Sequence, residues 1–336
     1  MTAATSTAPR WRADLEEPVV ALAASAGGVV VGGSEGAVVV LDADGAPRHR
    51  LTLGDALLAL AVSPDGTRLA AGGSECCAMW DLGADGRLLR HAATGWCAAL
   101  AWSDRSDRLA VAEGRQVRVV DRDSSRCWTS PLLTSTCTGL AWVRGERRVA
   151  AAAYQGVTVF EPSADKIVER LPAPGAIAGL AVAPNGRWVV GGSQDATLHG
   201  WRLPGGSDFR MSGFPTTVAN LAFESSGRWL ACDGGADIAC WDFSGAGPTG
   251  REALLAVGGH ADRVSALAWI PGTRTLASGD VGGGFALWRI EPGDRRGGRI
   301  RPIRTAATGD PVTALAAAPG VTVSGHRSGA VICRPA

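Results

Sequence analysis

The sequence predicts an all-β fold built from repeats, and three observations lead to this prediction. A Leu-Ala pair recurs along the chain, a turn-forming segment follows each pair, and a short apolar segment follows each turn. The 336-residue chain has eight such pairs, which begin at Leu22, Leu60, Leu100, Leu140, Leu180, Leu221, Leu267 and Leu315. Self-similarity at a spacing of about 40 residues is typical of repeat architectures, so we expect one repeated domain rather than two unlike ones.

Each of the eight units reads as a series of short strands. The Leu-Ala strand is followed by a turn such as "SPDG" or "APNG", whose Pro, Asp, Asn and Gly suit tight reversals. The second strand, "WVVGG" in unit five, is short and apolar, as expected of a strand buried on both faces. A third strand ends in a pair such as Trp80-Asp81 or Trp241-Asp242, and an outer strand such as "RHRLTLGD" precedes the next unit.

This order of elements resembles the WD-repeat β-propeller, in which each unit is a four-stranded blade around a central channel. The resemblance covers nearly the whole chain. It predicts a single closed eight-bladed propeller over residues 9–336, after a disordered segment of residues 1–8. The chain ends in "VICRPA", a third strand with nothing after it, whereas "RWRADLEE" near the start aligns with an outer strand. We therefore expect the N-terminal strand to complete the last blade.

Many members of the WD-repeat family carry a polar network of His, Ser or Thr, Asp and Trp in a blade. Unit seven has His260 and Trp288, but Asp280 and Gly282 stand where we expect the Ser and the Asp. On this alignment no unit keeps the whole network. Apolar packing is therefore expected to stabilise most blades.

Composition and charge narrow the class of protein. The formal net charge is +1, so the chain as a whole creates no field for nucleic acid or anionic lipid. No apolar run approaches the roughly 18 residues of a membrane helix. The first residues have neither a basic opening nor an apolar core, so no secretory signal is predicted and the protein is expected to be cytoplasmic. The eight cysteines lack C-x-x-C spacing, which favours reduced thiols.

Two glycine-rich segments match motifs of enzymes without the context that those motifs require. Ser34 lies in "GGSEG", which fits the G-x-S-x-G nucleophile elbow. That elbow needs a following helix, and "GGS" recurs at Ser74 and Ser193 as the end of a strand. "GAGPTG" at 245–250 fits G-x-G-x-x-G but follows an outgoing strand, so it reads as a flexible loop. The chain is not expected to be an enzyme or to bind a cofactor.

Four cysteines could be brought together by the repeat. Cys97 and Cys137 begin neighbouring inner strands, and Cys76 and Cys77 lie in a nearby turn. A metal site is the alternative interpretation. The equivalent positions of other units hold Val, Leu or Ile, so these cysteines are interpreted as small apolar core residues. No metal is expected, because convergent His, Asp and Glu ligands are missing.

The resemblance implies a rigid, non-catalytic platform that binds one or more proteins. Its top face is built from the loops before each inner strand and between the second and third strands. Trp, Tyr and Arg in such loops match the composition of protein-binding hot spots. Trp96 breaks the repeat pattern and is the strongest candidate. The residues predicted to bind a partner are Trp96, Arg115, Tyr154, Gln155, Asp195, His260, Arg263 and Arg327.

Two alternatives to the protein scaffold stay open. An Arg-rich connection at 293–305 could bind phosphate or an acidic protein on the bottom face, which would suit a nucleic-acid-associated subunit. No aromatic residue interleaves with its arginines, so a solvated loop is the favoured interpretation. The second alternative is a propeller enzyme or a metal-handling accessory protein. The arginines of the connection are Arg295, Arg296, Arg299, Arg301 and Arg304.

Overall fold

The computed structural model describes residues 8–25, 27–83, 85–123, 126–143 and 146–336. Regular structure in these residues is almost entirely β-strand, with one 3-10 turn at Pro162–Ala164. None of the described residues forms a helix that is long and apolar enough to cross a membrane. Of the segment 1–8 that was predicted to be disordered, residues 1–7 lie outside the described residues.

The first half of the chain contains short strands that follow the predicted order within each unit. In chain order they are β1 (Trp11–Asp14), β2 (Val19–Ser25), β3 (Gly28–Gly33), β4 (Ala37–Leu41), β5 (Pro47–Thr52), β6 (Leu57–Val62), β7 (Arg68–Gly73), β8 (Cys76–Asp81), β9 (Arg87–Ala93), β10 (Leu100–Trp102), β11 (Arg108–Glu113), β12 (Gln116–Asp121), β13 (Cys127–Thr129) and β14 (Gly139–Val143).

The second half opens with two long strands and then returns to short ones. They are β15 (Arg148–Glu161), β16 (Lys166–Val182), β17 (Trp188–Ser193), β18 (Leu198–Arg202), β19 (Asp208–Met211), β20 (Leu221–Phe223), β21 (Trp229–Cys232), β22 (Ile238–Asp242), β23 (Leu254–Ala256), β24 (Val264–Trp269), β25 (Thr275–Asp280), β26 (Gly284–Arg289), β27 (Arg299–Ile300), β28 (Arg304–Ala307), β29 (Val312–Ala318), β30 (Val321–His326) and β31 (Ala330–Pro335).

These strands form seven hydrogen-bonded sheets, so the prediction of an eight-bladed ring is wrong. Five of the sheets have four strands, as expected, but one has five and one has six. The six-stranded sheet runs β14-β15-β16-β17-β18-β19 and joins units four and five. The physical reason is that β15 and β16 stay extended and paired through positions where turns were expected. The pairing of β15 with β16 does not end at these positions, because a register shift between Tyr154 and Gly156 lets it continue.

The two ends of the chain meet in one sheet. β1 pairs antiparallel with β31, from Trp11 opposite Cys333 to Asp14 opposite Ala330, as the strand count predicted. The innermost strand of this sheet, β29, also packs against β2 of the first unit. The N-terminal strand therefore covers the edge of β31, which would otherwise offer unpaired backbone groups to another chain.

Small residues at the ends of the second strands let neighbouring sheets approach closely. A Cβ added to Gly32 would lie 2.1 Å from Leu57 Cδ2 of the next unit, and one added to Gly72 would lie 2.4 Å from Cys97 Sγ. A Cβ added to Gly325 would lie 2.3 Å from Val19 Cγ1, which is the same contact between the last and first units. The recurring glycines therefore serve packing between sheets, where apolar side chains form the core.

Unit seven holds a complete polar network, so the prediction that no unit keeps one is wrong. Trp288 Nε1 donates to Ser278 Oγ at 2.7 Å. Ser278 Oγ lies 2.6 Å from His260 Nε2, and His260 Nδ1 lies 2.7 Å from Asp280 Oδ2. With His260 protonated on Nδ1, every donor in this series meets one acceptor. The sequence alignment placed Asp280 in the position of the Ser, whereas Ser278 occupies it.

The acid that ends the third strand has a structural partner in several units. It pairs with the arginine at or just before the start of the second strand, so an ion pair links the second and third strands of each of these units. The N···O distances are 2.7 Å for Arg68–Asp81, 3.6 Å for Arg148–Glu161 and 3.1 Å for Arg228–Asp242. In units five and seven, Arg202 and Arg289 stand in the place of the acid.

Candidate functional site

The top surface is formed by the segments before the inner strands and between the second and third strands, and in units three and four these segments expose three large apolar side chains. The exposed fraction is 50% for Trp96, 67% for Leu132 and 49% for Tyr154. Trp96 precedes β10, Leu132 lies in the segment between β13 and β14, and Tyr154 lies at the bend of β15. We call these three residues the apolar patch.

Backbone hydrogen bonds join the segments that carry Trp96 and Leu132. The amide of Gly114 donates to the carbonyl of Trp96 at 2.9 Å, and the amide of Leu133 donates to the carbonyl of Arg115 at 2.8 Å. The Arg115 guanidinium returns two bonds to the carbonyl of Leu133, at 3.0 Å from Nε and 2.8 Å from Nη2. Arg115 therefore positions the segment beneath Leu132.

A second set of bonds joins Leu132's segment to Tyr154. Thr134 Oγ1 donates to the carbonyl of Tyr154, and the amide of Tyr154 donates to Ser135 Oγ at 2.8 Å. The next residue, Gln155, has a φ of 69°, which turns the chain sharply and leaves Tyr154 at the outside of the bend. Trp96, Arg115, Tyr154 and Gln155 are thus brought together on consecutive segments of one surface.

The patch places large apolar side chains in solvent on adjoining segments of the chain. Single exposed apolar residues are common on proteins, but apolar side chains gathered on adjoining segments mark interaction surfaces. Tryptophan and tyrosine supply large contact areas with few rotatable bonds, and both are enriched among residues that dominate binding. The patch therefore exposes apolar area of the kind that protein interfaces bury.

Leu132 belongs to the exposed apolar patch but was not among the residues predicted from the sequence. It lies beside Leu133, which is buried at 5% exposure, and the pair "LL" reads as part of a core segment. The two residues before it, Ser130 and Pro131, follow the outer strand and form a turn signal. That turn signal is the feature from which an exposed Leu132 could have been inferred.

The other predicted top-surface residues do not join the patch. Asp195 accepts from Thr197 Oγ1 at 2.6 Å and pairs with Arg210 at 2.9 Å, in unit five. Arg263 and Arg327 belong to units seven and eight. The His260 side chain is fully buried in the network with Asp280, so this residue stabilises a blade and is unavailable to a partner.

The Arg-rich connection on the bottom surface is a folded strap. Its residues Arg299–Ile300 form β27, which pairs in parallel with β23 as the fifth strand of its sheet. Ile300 is buried at 7% exposure and packs into the core. The predicted solvated loop is therefore anchored on the outer edge of unit six.

Three of the five arginines in this strap bind groups of the protein itself. Arg296 donates to Asp242 Oδ2 at 3.0 Å from Nη2, and Arg304 donates to the carbonyl of Pro335 at 2.7 Å. Arg301 makes a long bond of 3.5 Å to the carbonyl of Val257. Arg295 and Arg299 make no side-chain bond to any described residue. The strap thus offers fewer cations to a phosphate than its sequence indicates.

Asp242 is the centre of the charge cluster beneath unit six. Its side chain is 2% exposed and pairs with Arg228 at 3.1 Å and with Arg296 at 3.0 Å, and Oδ1 also accepts from the amide of Ser244 at 2.9 Å. Burial alone would raise the pKa of Asp242, but these hydrogen bonds outweigh burial and hold it well below its usual range. The ion pair between Arg296 and Asp242 therefore attaches the strap to unit six.

The four grouped cysteines are buried. Burial raises the pKa of Cys76 to about 11 and the pKa of Cys137 to about 12, so both are neutral thiols near neutral pH. Contact with the Cys77 thiol and burial raise the pKa of Cys97 further. Among the described residues, no group of three or more His, Cys, Asp or Glu side chains could hold a metal ion. Cys97 packs against Gly72 as Leu57 packs against Gly32 of the preceding unit, whereas Cys76 and Cys77 belong to β8 rather than to the predicted turn.

The sequence matches the family model described as "WD domain, G-beta repeat" over residues 47–81, 165–202 and 252–289. The chain therefore contains WD40 repeats. No curated protein matches its sequence.

Solved structures resemble the fold. The computationally designed Ika8 protein superimposes with a TM-score of 0.80 at 22% identity, covering 96% of this chain and 98% of the other. The WD40 repeats of RRP9 give 0.63 at 18% identity, with 83% and 94% covered. The structure of U3-55K gives 0.64 at 17% identity, with 83% and 95% covered. At these identities the likeness concerns the fold.

Proposed function

We propose that this chain, which contains WD40 repeats, is a non-catalytic scaffold that docks a partner protein through the apolar patch. The observation that carries the proposal is the exposure of Trp96, Leu132 and Tyr154 on adjoining, hydrogen-bonded segments. WD40 propellers commonly serve as protein-interaction platforms, which supports the class of function by analogy of fold. The proposal that this particular surface is used rests on the exposed residues of the patch rather than on the fold.

Pre-organisation is the mechanism by which the patch would gain affinity. A flexible loop loses conformational entropy when a partner orders it, whereas a loop that is already fixed loses little. The bonds of Arg115 to Leu133 and of Ser135 to Tyr154 fix these segments before binding. The free energy of apolar burial is then available to the complex, because little of it is offset by ordering.

The experiment is an affinity series on a partner captured from the native host with the immobilised full chain. Trp96→Ala, Leu132→Ala and Tyr154→Ala are each expected to weaken binding about tenfold or more, as central hot-spot residues do. Leu88→Ala and Ile303→Ala are matched controls, because these side chains are 51% and 52% exposed but lie away from the patch. Retained affinity in all three patch variants, with the fold intact, would refute the proposal.

A further inference from the structure

A cavity of about 480 Å³ opens on the bottom surface where units four and five adjoin. The side chains that give it chemical character are Arg147, Arg148, Glu161, Lys166 and Asn185. Gly186 and apolar residues complete its wall, and none of the described residues that line it is aromatic. It lies on the surface opposite the apolar patch, since its lining comes from the turns between first and second strands and from the ends of third strands.

The cavity carries more positive than negative charge. Glu161, 6% exposed, lies 2.9 Å from Arg147 Nη2, 3.6 Å from Arg148 Nε and 3.9 Å from Lys166 Nζ. One carboxylate among three cations leaves two formal positive charges. The buried carboxylate holds the cations in place while their outer parts stay accessible, at 75% exposure for Arg147 and 57% for Lys166.

Hydrogen-bond donors are also in excess. Only the contact from Arg147 is short enough to be a hydrogen bond to Glu161, so the ammonium of Lys166 and the guanidinium of Arg148 keep unused donors. Asn185 uses its carbonyl oxygen to accept from the amide of Arg187 at 2.9 Å, and its amide nitrogen donates to no described residue. Several donors without acceptors therefore line one cavity.

Among the described residues, unit five contributes no carboxylate to the lining of this cavity. Arg202 occupies the position that an acid fills in units two, four and six. No carboxylate of a described residue forms an ion pair with Arg202 or with the nearby Arg187. Cations without counter-charges at the rim of a concave surface attract anions and raise their local concentration.

We propose that this cavity binds a single oxyanion group, a carboxylate or a phosphate, carried by a partner. Planar guanidinium groups bind both anions through paired hydrogen bonds, and an ammonium adds a point charge. A nucleic acid strand is disfavoured, because the described lining of the cavity has no aromatic side chain for base stacking. The site goes beyond the proposed docking function, and its test does not depend on the apolar patch.

Lys166 allows a direct test, because it is the only lysine of the chain. The full chain would be acetylated with an amine-reactive ester, and the rate at residue 166 would be followed by peptide mass spectrometry. Inorganic phosphate and acetate would be titrated separately against chloride at equal ionic strength. The proposal predicts saturable, several-fold protection by at least one of the two oxyanions. Protection by phosphate alone identifies a phosphorylated group, and protection by acetate identifies an acidic side chain.

Substitutions separate a site from a general charge effect. Arg148→Gln and Arg147→Gln should raise the half-protecting phosphate concentration about tenfold, as expected for a lost charged hydrogen bond. Arg105→Gln is the matched control, since Arg105 is 81% exposed and paired with Glu146 at 3.5 Å outside the cavity. Equal rates in phosphate, acetate and chloride would overturn the proposal. Protection by an oligonucleotide alone, lost steeply with salt, would overturn it in favour of a diffuse basic surface.

Discussion

The indole nitrogen of Trp288 donates a 2.7 Å hydrogen bond to the hydroxyl of Ser278, inside a network that continues to His260 and Asp280. The indole nitrogen of Trp201, on the third strand of unit five, is also buried but has no hydrogen-bond partner among the described residues. The same type of residue thus has different energetic roles in two units.

Trp288→Phe is expected to lower the free energy of unfolding by about 1–2 kcal/mol more than Trp201→Phe. Both substitutions remove similar buried volume, since Trp288 is 1% and Trp201 is 3% exposed. Only the first removes a hydrogen bond, whereas the second removes a buried unpaired donor. Chemical denaturation of the two variants measures the difference. Equal losses would show that the network adds nothing to packing.

Asp242→Asn is expected to destabilise the protein by about 3 kcal/mol at neutral pH, because it leaves two arginines without their buried carboxylate. The folded pKa of Asp242 is held low, below the unfolded value of about 3.9. Its charge therefore stabilises the fold above about pH 4, and this contribution is lost as the pH falls through the folded pKa. The difference between wild type and variant should narrow in acid.

The measurement for Asp242 is urea denaturation at a series of pH values. Asp14→Asn is the control, because Asp14 is 68% exposed and lies 3.8 Å from Arg12. Such exposed pairs contribute little, so the control should stay within about 0.5 kcal/mol of wild type at every pH. If the Asp242 variant loses no more free energy of unfolding than the control, the buried ion pairs of Asp242 do not stabilise the fold.

Cys127 is expected to be the only cysteine that reacts rapidly with a thiol reagent in the folded protein. It is the exposed member of the eight, and the other seven are buried. Burial also raises the pKa of the buried thiols, to about 12 for Cys240, which lowers their thiolate fraction. Mass spectrometry should show one label on the native chain and eight after denaturation. Fast native labelling of Cys97 or Cys137 would disprove their assignment to the core.

Removal of β1 is expected to lower the melting temperature by at least about 5 °C and to promote self-association. A chain that begins at residue 15 loses the pairing of Trp11–Asp14 with β31 and the bond from Trp11 Nε1 to the carbonyl of Ala43 at 2.9 Å. A chain that begins at residue 8 keeps both and is the matched control. Calorimetry and light scattering on the two chains provide the test, and identical behaviour would contradict ring closure by β1.

The sequence predicted the strand order and the joining of the chain ends, because turn residues and apolar segments are local signals. The sheet count was mispredicted, because the pattern identifies units but not whether neighbouring units share a strand. The pairing of Gly156 with Pro172 in the sheet depends on tertiary context, which overrides the turn preference of those residues. The parallel strand β27 was missed for the same reason, since its two residues pair only in context.

The sequence indicates the exposure of some residues of the apolar patch and not of others. Trp96 and Tyr154 interrupt the repeat pattern within loops, so their exposure could be inferred. Leu132 was missed because one sequence cannot tell an exposed leucine from the buried Leu133 beside it. His260 was predicted to bind a partner because its segment reads as a loop. In the fold its side chain is buried and contacts Ser278, which is distant in sequence.

The central claim, that a partner covers the apolar patch, is tested most directly by protection of Tyr154, the only tyrosine of the chain. The extent of its chemical iodination would be measured in the free chain and in the purified complex, with labelling of the exposed Cys127 on the opposite side as the internal control. If a partner docks at this patch, iodination of Tyr154 falls several-fold in the complex while labelling of Cys127 is unchanged. Equal iodination of Tyr154 in the free chain and in the complex would contradict docking at this patch.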